Sequence, residues 1–309
     1  MYQCRAPVTL ILFNRSDTLR LVINALRLVQ PKVIFAIADG PREGNIDDIE
    51  SCIKAREVLN EIDWDCNISK RFLDCNLGVG RNPAEGIDWV FDRIGETIIL
   101  EDDCIPNPDF FKFCDKLLDR YRNNPRVMMI SGNNHTLGQY TIDNSYAFTY
   151  HTQTHGWATW KDSWQHYDYR VQKWPKFRSY QWLYNITGSI ISSIFWMKIF
   201  DKAYAKESPY WDFQWTLCCW INSGVNIVPA VNLVSNAGYG AHATNTKDKS
   251  NPFSNLKTES MSFPLVHAET ININYKLGRT LNKTVYGFTF VSTAKRLVVR
   301  ILSLYGNKK

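Results

Sequence analysis

The sequence predicts an α/β protein whose mainly parallel sheet carries helices on both faces. Three observations predict it. Short runs rich in Val, Ile and Leu recur through the first 135 residues. Most are followed by a stretch of helical period. The junctions carry turn or capping chemistry rather than long linkers.

In order, residues 8–13 form an apolar run ending in Phe13, Asn14 and Arg15. Ser16 or Asp17 then caps a helix with Leu19, Val22, Ile23 and Leu26 on one face. Residues 33–38 read as a second buried strand, closed by Asp39, Gly40 and Pro41. A helix over 47–59 and a strand over 68–73 follow. Asn76, Gly78, Gly80 and Arg81 form a glycine-bearing loop that feeds a helix over 83–91. A strand over 97–100, a helix over 108–121 and a short strand over 127–130 complete this half. Helices are predicted over 180–205 and 209–222, with short strands at 226–229 and 232–235. Nine of the 11 tryptophans fall between 157 and 220.

The junction after residue 100 is the most informative. Three consecutive carboxylates, Glu101, Asp102 and Asp103, end a buried strand. They must open to solvent, a cation or a ligand, because burying them bare is too costly. Ligands in open α/β sheets bind at the carboxyl ends of strands. An oxygen-rich set there suits Mg²⁺ or Mn²⁺, ions that also hold substrate phosphates. The alternative is a solvated acidic loop.

Transfer of a group from a nucleoside diphosphate would use such a site, since a cation or basic groups must offset charge on the leaving phosphate. Asp103 is the preferred metal ligand. Arg15 and Arg81, on loops at the same sheet edge, are candidates for phosphate pairing or remain plain surface arginines. Asp39 either accepts a hydrogen bond from the nucleotide or holds its own turn. The Gly78 loop allows close backbone approach but is neither a dinucleotide fingerprint nor a P-loop.

An acceptor hydroxyl needs a base. Ser208 and Pro209 read as a helix start that puts Asp212 in the first turn, where on its own it simply complements the dipole. Flanked by Trp211 and Trp215, it is also a sheltered carboxylate. Gly156 and Trp157 could present an indole face to a sugar, although tryptophans at this density are more often core. His242 follows a glycine-rich loop and is a candidate late metal contact, or neither.

Composition bounds the remainder. With 45% hydrophobic and 21% charged residues, the 309-residue chain is ordinary for a globular protein. Its 8 cysteines show no C-x-x-C pair, so a zinc site or disulfide framework is not indicated. No apolar stretch is long enough to span a bilayer and the opening residues lack a secretory layout, so a cytoplasmic setting is expected. The net charge of +6 is a tail property. No acid follows Glu269 while eight lysines and arginines do, leaving the first 269 residues at −2. A nucleic-acid-binding surface is therefore not supported. Residues 291–305 pattern as a cationic amphipathic helix, suited to an anionic membrane surface or to docking on the body.

Taken together, the set Phe13, Asn14, Arg15, Asp39, Glu101, Asp102, Asp103, then Pro108, Asp109, Phe110 and Phe111, then Gly156, Trp157, Trp211 and Asp212 resembles the GT-A class of nucleotide-sugar glycosyltransferases. It is similar to family 2 type bacterial enzymes and to the N-acetylglucosaminyltransferase I type. The resemblance covers about 8–242, with the carboxylate triplet and its following helix as the specific part. It implies a Rossmann-like GT-A fold with a donor half (1–135), an acceptor and catalytic-base half (136–255) and a basic C-terminal tail with an amphipathic helix (256–309). It implies Asp103 on a Mn²⁺ or Mg²⁺ ion, Glu101 and Asp102 on ribose and donor sugar, Arg15 and Asp39 on the nucleotide, and Asp212 as base in an inverting displacement. The implied partners are an NDP-sugar, with a UDP-sugar as the expected donor, and a glycan or lipid-linked acceptor of bacterial surface polysaccharide synthesis at the inner membrane face. The triplet departs from a strict D-x-D. A sugar nucleotidyltransferase and a non-catalytic glycan-binding protein are the competing readings. The first normally needs a glycine in the loop after the first strand, where this chain has none.

Overall fold

The computed structural model describes residues 2–238 and 251–287. Four parallel strands, β1 (Val8–Leu12), β2 (Val33–Ala38), β3 (Asn67–Phe72) and β4 (Glu96–Glu101), lie in the order β3-β2-β1-β4. They alternate with α1 (Ser16–Arg27), α2 (Ile46–Glu57) and α3 (Gly78–Phe91). Register aligns Ile11 with both Ile37 and Glu101, so the ends of β1, β2 and β4 share one edge. Both faces of β1 are covered. Val8, Leu10 and Leu12 join one core with α1, while Ile11 joins the other with Ile87 and Val90 of α3. Two-sided burial explains why β1, β2 and β4 read as apolar runs, whereas the edge strand β3 is polar and partly exposed.

β5 (Cys104–Pro106) follows the triplet, then α4 (Pro108–Tyr121), started by Pro108 and capped by Asn107. The sheet continues through β6 (Val127–Ser131), β7 (Tyr146–Thr149) and β8 (Trp157–Trp160). β8 inserts antiparallel between β4 and β6. After α5 (Lys161–Trp164), α6 (Trp174–Phe177), α7 (Tyr180–Thr187), α8 (Ile190–Tyr204) and α9 (Asp212–Ile221), β9 (Val225–Pro229) runs parallel to β6, and β7 closes the edge. The eight strands form one sheet, β3-β2-β1-β4-β8-β6-β9-β7, mostly parallel. β10 (Val234–Asn236) pairs with β5 beneath the triplet.

Three boundaries differ from expectation. The helix predicted over 180–205 breaks at Gly188, whose φ of +62° ends α7 in the left-handed conformation, and Ser189 caps α8. The helix predicted from Pro209 begins at Asp212, with Trp211 rather than Ser208 at its cap. The helix predicted from Pro83 starts a full turn earlier at Gly78.

Residues 251–287, expected to fall mostly in a tail, pack on the body. Met261 N–H donates to Asp109 Oδ2 (3.0 Å), and Leu277 and Leu281 of α10 (Tyr275–Tyr286) are buried. His242 and the predicted helix over 291–305 lie outside the described residues. Among the described residues no helix is long and apolar enough to cross a membrane. The 8 cysteines are all free thiols.

Candidate active site

A cleft of about 370 Å³ opens where β1, β2 and β4 end, and Phe13, Arg15, Asp39, Gly78, Asp103 and Trp211 are among its walls. The triplet forms its floor, held from both sides. Phe13 N–H donates to Asp102 Oδ2 (3.0 Å), tying the end of β1 to that of β4. Arg15 Nη1 donates to Asp103 Oδ2 at 2.5 Å and lies 3.9 Å from Asp102 Oδ1. From the far side, Asn236 Nδ2 donates to Asp103 Oδ1 (3.2 Å) and Ala237 N–H to the Asp103 carbonyl (2.9 Å). The backbone of Gly238 passes so close that a Cβ there would stand 1.9 Å from Asp103 Oδ2. Only glycine allows that approach.

The electrostatics are lopsided. Burial raises Glu101 well above the usual carboxylate range, with repulsion from Asp103, Asp102 and Asp212 adding to it and Arg15 opposing. Burial, then Asp103, pushes Asp102 up to about 7. Three acids crowded around one guanidinium thus favour the protonated forms of Glu101 and Asp102 over a fully charged floor.

Asp39 does something more definite than expected. Its carboxylate accepts from the N–H groups of Gly40 (3.0 Å), Leu77 (2.8 Å) and Gly78 (2.9 Å). Asn76 Nδ2 donates to the Gly40 carbonyl (2.8 Å), so the two loops are cross-tied. Both Asp39 oxygens are engaged in shaping the wall, which is the turn-holding role. Asn14 donates to Asp48 Oδ1 (2.9 Å), and Asp48 also binds Arg42, whose guanidinium sits 5.5 Å from the Phe13 ring centroid at the cleft mouth.

Asp212 begins α9 next to Trp211. Its Oδ1 accepts from Phe213 N–H (3.0 Å), and burial lifts its carboxyl to about 6. Its neighbour Trp211 lines the cleft, and its charge is felt at Glu101, so Asp212 lies within electrostatic reach of the triplet. Tyr167 donates its hydroxyl to the Trp211 carbonyl (3.1 Å). The Pro209 carbonyl presses on Gly80 so tightly that a Cβ there would be 2.1 Å away. The segment carrying Asp212 is thereby seated on α3.

Two expectations are corrected. Arg81 pairs with Glu85 (2.5 Å) on the exposed side of α3 and does not reach the cleft. Trp157 is fully buried, stacked behind Trp211 at 5.6 Å and 25°, so it backs the wall instead of touching a sugar. Gly156, at φ +80°, packs on Val234 and serves that turn. Sequence reading missed Arg42, His155 and Asn236. His155 stands one residue before Gly156, and Asn236 opens the glycine-rich segment already noted, so position offered a weak signal for both.

Among the described residues no group of three or more His, Cys, Asp or Glu side chains is arranged to hold a metal by itself. The oxygens of Asp103 and Asp102 nevertheless fit a hard divalent ion, which commonly takes one or two carboxylates and completes its shell with water and substrate phosphate.

Fold and cleft together define an α/β protein with an acid-lined cleft at the carboxyl edge of its sheet, where ligands bind in open α/β folds. The chain matches no family model and no curated protein sequence. Among solved structures it is similar to the apo form of mouse xyloside xylosyltransferase 1, at 12% identity and a TM-score of 0.31, over 69% of this chain and 80% of that one. A likeness of that size carries no conclusion on substrate or mechanism.

Proposed function

We propose that this chain is a GT-A type glycosyltransferase that moves a sugar from an NDP-sugar, with a UDP-sugar as the expected donor, to a glycan or lipid-linked hydroxyl with inversion. The observation that carries the reading is one cleft in which Asp102 and Asp103 at the end of β4 meet Arg15 from the loop after β1, with Trp211 in the wall and Asp212, the next residue, within electrostatic reach of Glu101. The nucleotide occupies the side walled by Phe13, Asn76 and Gly78, and the donor sugar lies between the triplet and Trp211.

In the displacement, the acceptor oxygen attacks the anomeric carbon, the bond from that carbon to the β-phosphate oxygen breaks, and the acceptor proton passes to Asp212. A carboxyl near 6 is largely ionised at neutral pH yet basic enough to take that proton. Arg15 supplies positive charge toward the departing diphosphate. A Mn²⁺ or Mg²⁺ ion held by Asp103, with Asp102 beside it, would supply further neutralisation of the leaving group. Trp211, backed by Trp157 and Trp164, offers a rigid apolar wall that excludes water.

The test is release of nucleoside diphosphate from a panel of NDP-sugars with and without Mn²⁺. Turnover should be lost in Asp103→Ala and in Asp212→Ala. Full activity in either variant removes the role assigned to it, and pyrophosphate formation from sugar phosphate and NTP would replace the reading with nucleotidyl transfer.

A further inference from the structure

A second surface, away from the triplet, carries an unusual combination of side chains. α7 and α8 pack on each other through Gly188 and Ser189 and bury Leu183, Trp196 and Phe200 inward. Their outer sides are apolar as well. Ile190 is 69% exposed and Ile194 lies one turn further on, while Tyr180 (60% exposed) and Tyr184 form a second row. α10 lies alongside, because the Tyr150 hydroxyl donates to the Thr187 carbonyl at the end of α7 (3.3 Å) and accepts from Asn282 of α10 (2.9 Å). α10 turns Leu277 and Leu281 inward and leaves Lys276, Arg279 and Lys283 exposed along one row.

Charge decides what such a surface fits. α7 and α8 carry Lys198 and Lys202 against one acid, Asp201, which Arg178 of the preceding segment neutralises at 2.8 Å, and 276–283 hold three basic residues against none. The contrast with α2 is instructive. Ile46, Ile49 and Ile53 are exposed there too, but Asp47, Glu50 and Glu57 accompany them. Apolar exposure beside acids repels an anionic surface, whereas tyrosine and isoleucine beside lysine and arginine match the interfacial layer of an anionic bilayer.

We propose that α7, α8 and the basic row of α10 form a face that docks in the plane of an anionic lipid surface. The helices that carry this face pack on the Asp212 segment through their inner sides. Trp196 of α8 sits edge-on to Phe213 at 6.0 Å, Phe213 adjoins Asp212, and the charge of Asp212 is felt at Tyr286 of α10. Resting on the transferase reading, this adjacency brings a lipid-linked acceptor to the Asp212 end of the cleft. The docking itself does not require that reading.

The experiment is co-sedimentation of the full chain with vesicles of phosphatidylcholine alone or doped with phosphatidylglycerol, at low and high salt. The wild type is compared with Ile190→Glu/Ile194→Glu and with Lys276→Glu/Arg279→Glu/Lys283→Glu. Both variants alter exposed positions, and an unchanged melting temperature confirms their fold. Salt-sensitive binding to phosphatidylglycerol vesicles is expected for the wild type, reduced about tenfold or more in each variant. Equal binding of both vesicle types overturns the proposal. So does wild-type binding by both variants with loss only on deletion of residues 288–309. A wild-type dimer that becomes monomeric in the Ile variant without any lipid binding assigns the face to a second copy instead. Nucleoside diphosphate release without vesicles should match the wild type in both variants. If vesicle binding behaves as expected but no donor is turned over by any form, the transferase reading fails alone.

Discussion

Asp212 carries the sharpest prediction because the property that makes it a base also costs stability. Burial lifts its carboxyl from 3.8 to about 6 in the folded chain. The folded state therefore keeps the proton longer than the unfolded state does, so stability falls as pH rises from about 4 to about 6 and stays lowered above that. A roughly hundredfold change in proton affinity corresponds to ~3 kcal/mol. Because Asp212 is only half-buried, screening reduces this to about 1–3 kcal/mol. Asp212→Asn retains an oxygen for the Phe213 N–H and removes the charge. The variant should be more stable than the wild type by about 1–3 kcal/mol near pH 8, with the gap shrinking by about half near pH 5. Its transfer rate should fall by about 10²–10⁴. Wild-type turnover should drop about tenfold per pH unit below 6, provided the base must be ionised. Urea unfolding at the two pH values, paired with a pH–rate profile, reads all three. A variant no more stable than the wild type near pH 8, or a gap independent of pH, would refute the argument.

Three further substitutions probe the cleft. Gly238→Ala sets a Cβ against Asp103 and should cut donor turnover by about a hundredfold while changing the melting temperature little, measured by diphosphate release and thermal unfolding. Gly80→Ala meets the Pro209 carbonyl and should cost about 1–3 kcal/mol, with turnover falling as the Asp212 segment shifts. Arg15→Gln leaves Asp103 and Asp102 without their guanidinium and should destabilise the fold by ~2 kcal/mol, less than a fully buried pair because Arg15 is partly exposed. Its affinity for nucleoside diphosphate, read by calorimetry, should fall most at low salt.

How far the sequence foretold this structure depends on where periodicity is strong. Strands β1, β2 and β4 are buried on both faces and announce themselves as short runs of Val, Ile and Leu, so they were legible to within a residue or two, whereas α3 starts well before Pro83. The antiparallel insertion of β8 was not, since Trp157, Ala158, Thr159 and Trp160 drew notice for their indoles and were assigned no strand. α10 was missed because its apolar face is narrow, essentially Leu277 and Leu281, amid polar residues. In the site, the triplet was legible because three acids after a buried strand admit few explanations. Asp39 showed its residue type but not its partners, which lie 38 and 39 positions away in the next loop. The roles of Gly80 and Gly238 are contacts between distant segments and leave no local pattern.

The account turns on whether a nucleoside diphosphate sits against Asp103. The most direct measurement is the thermal unfolding of wild type and Asp103→Ala with saturating UDP and Mn²⁺. Ligand at about 100 times its dissociation constant adds ~2.7 kcal/mol by mass action, a rise of several degrees. The account predicts that rise in the wild type and its loss in Asp103→Ala. An unchanged wild type across the nucleoside diphosphates, or an equal rise in both proteins, would contradict it.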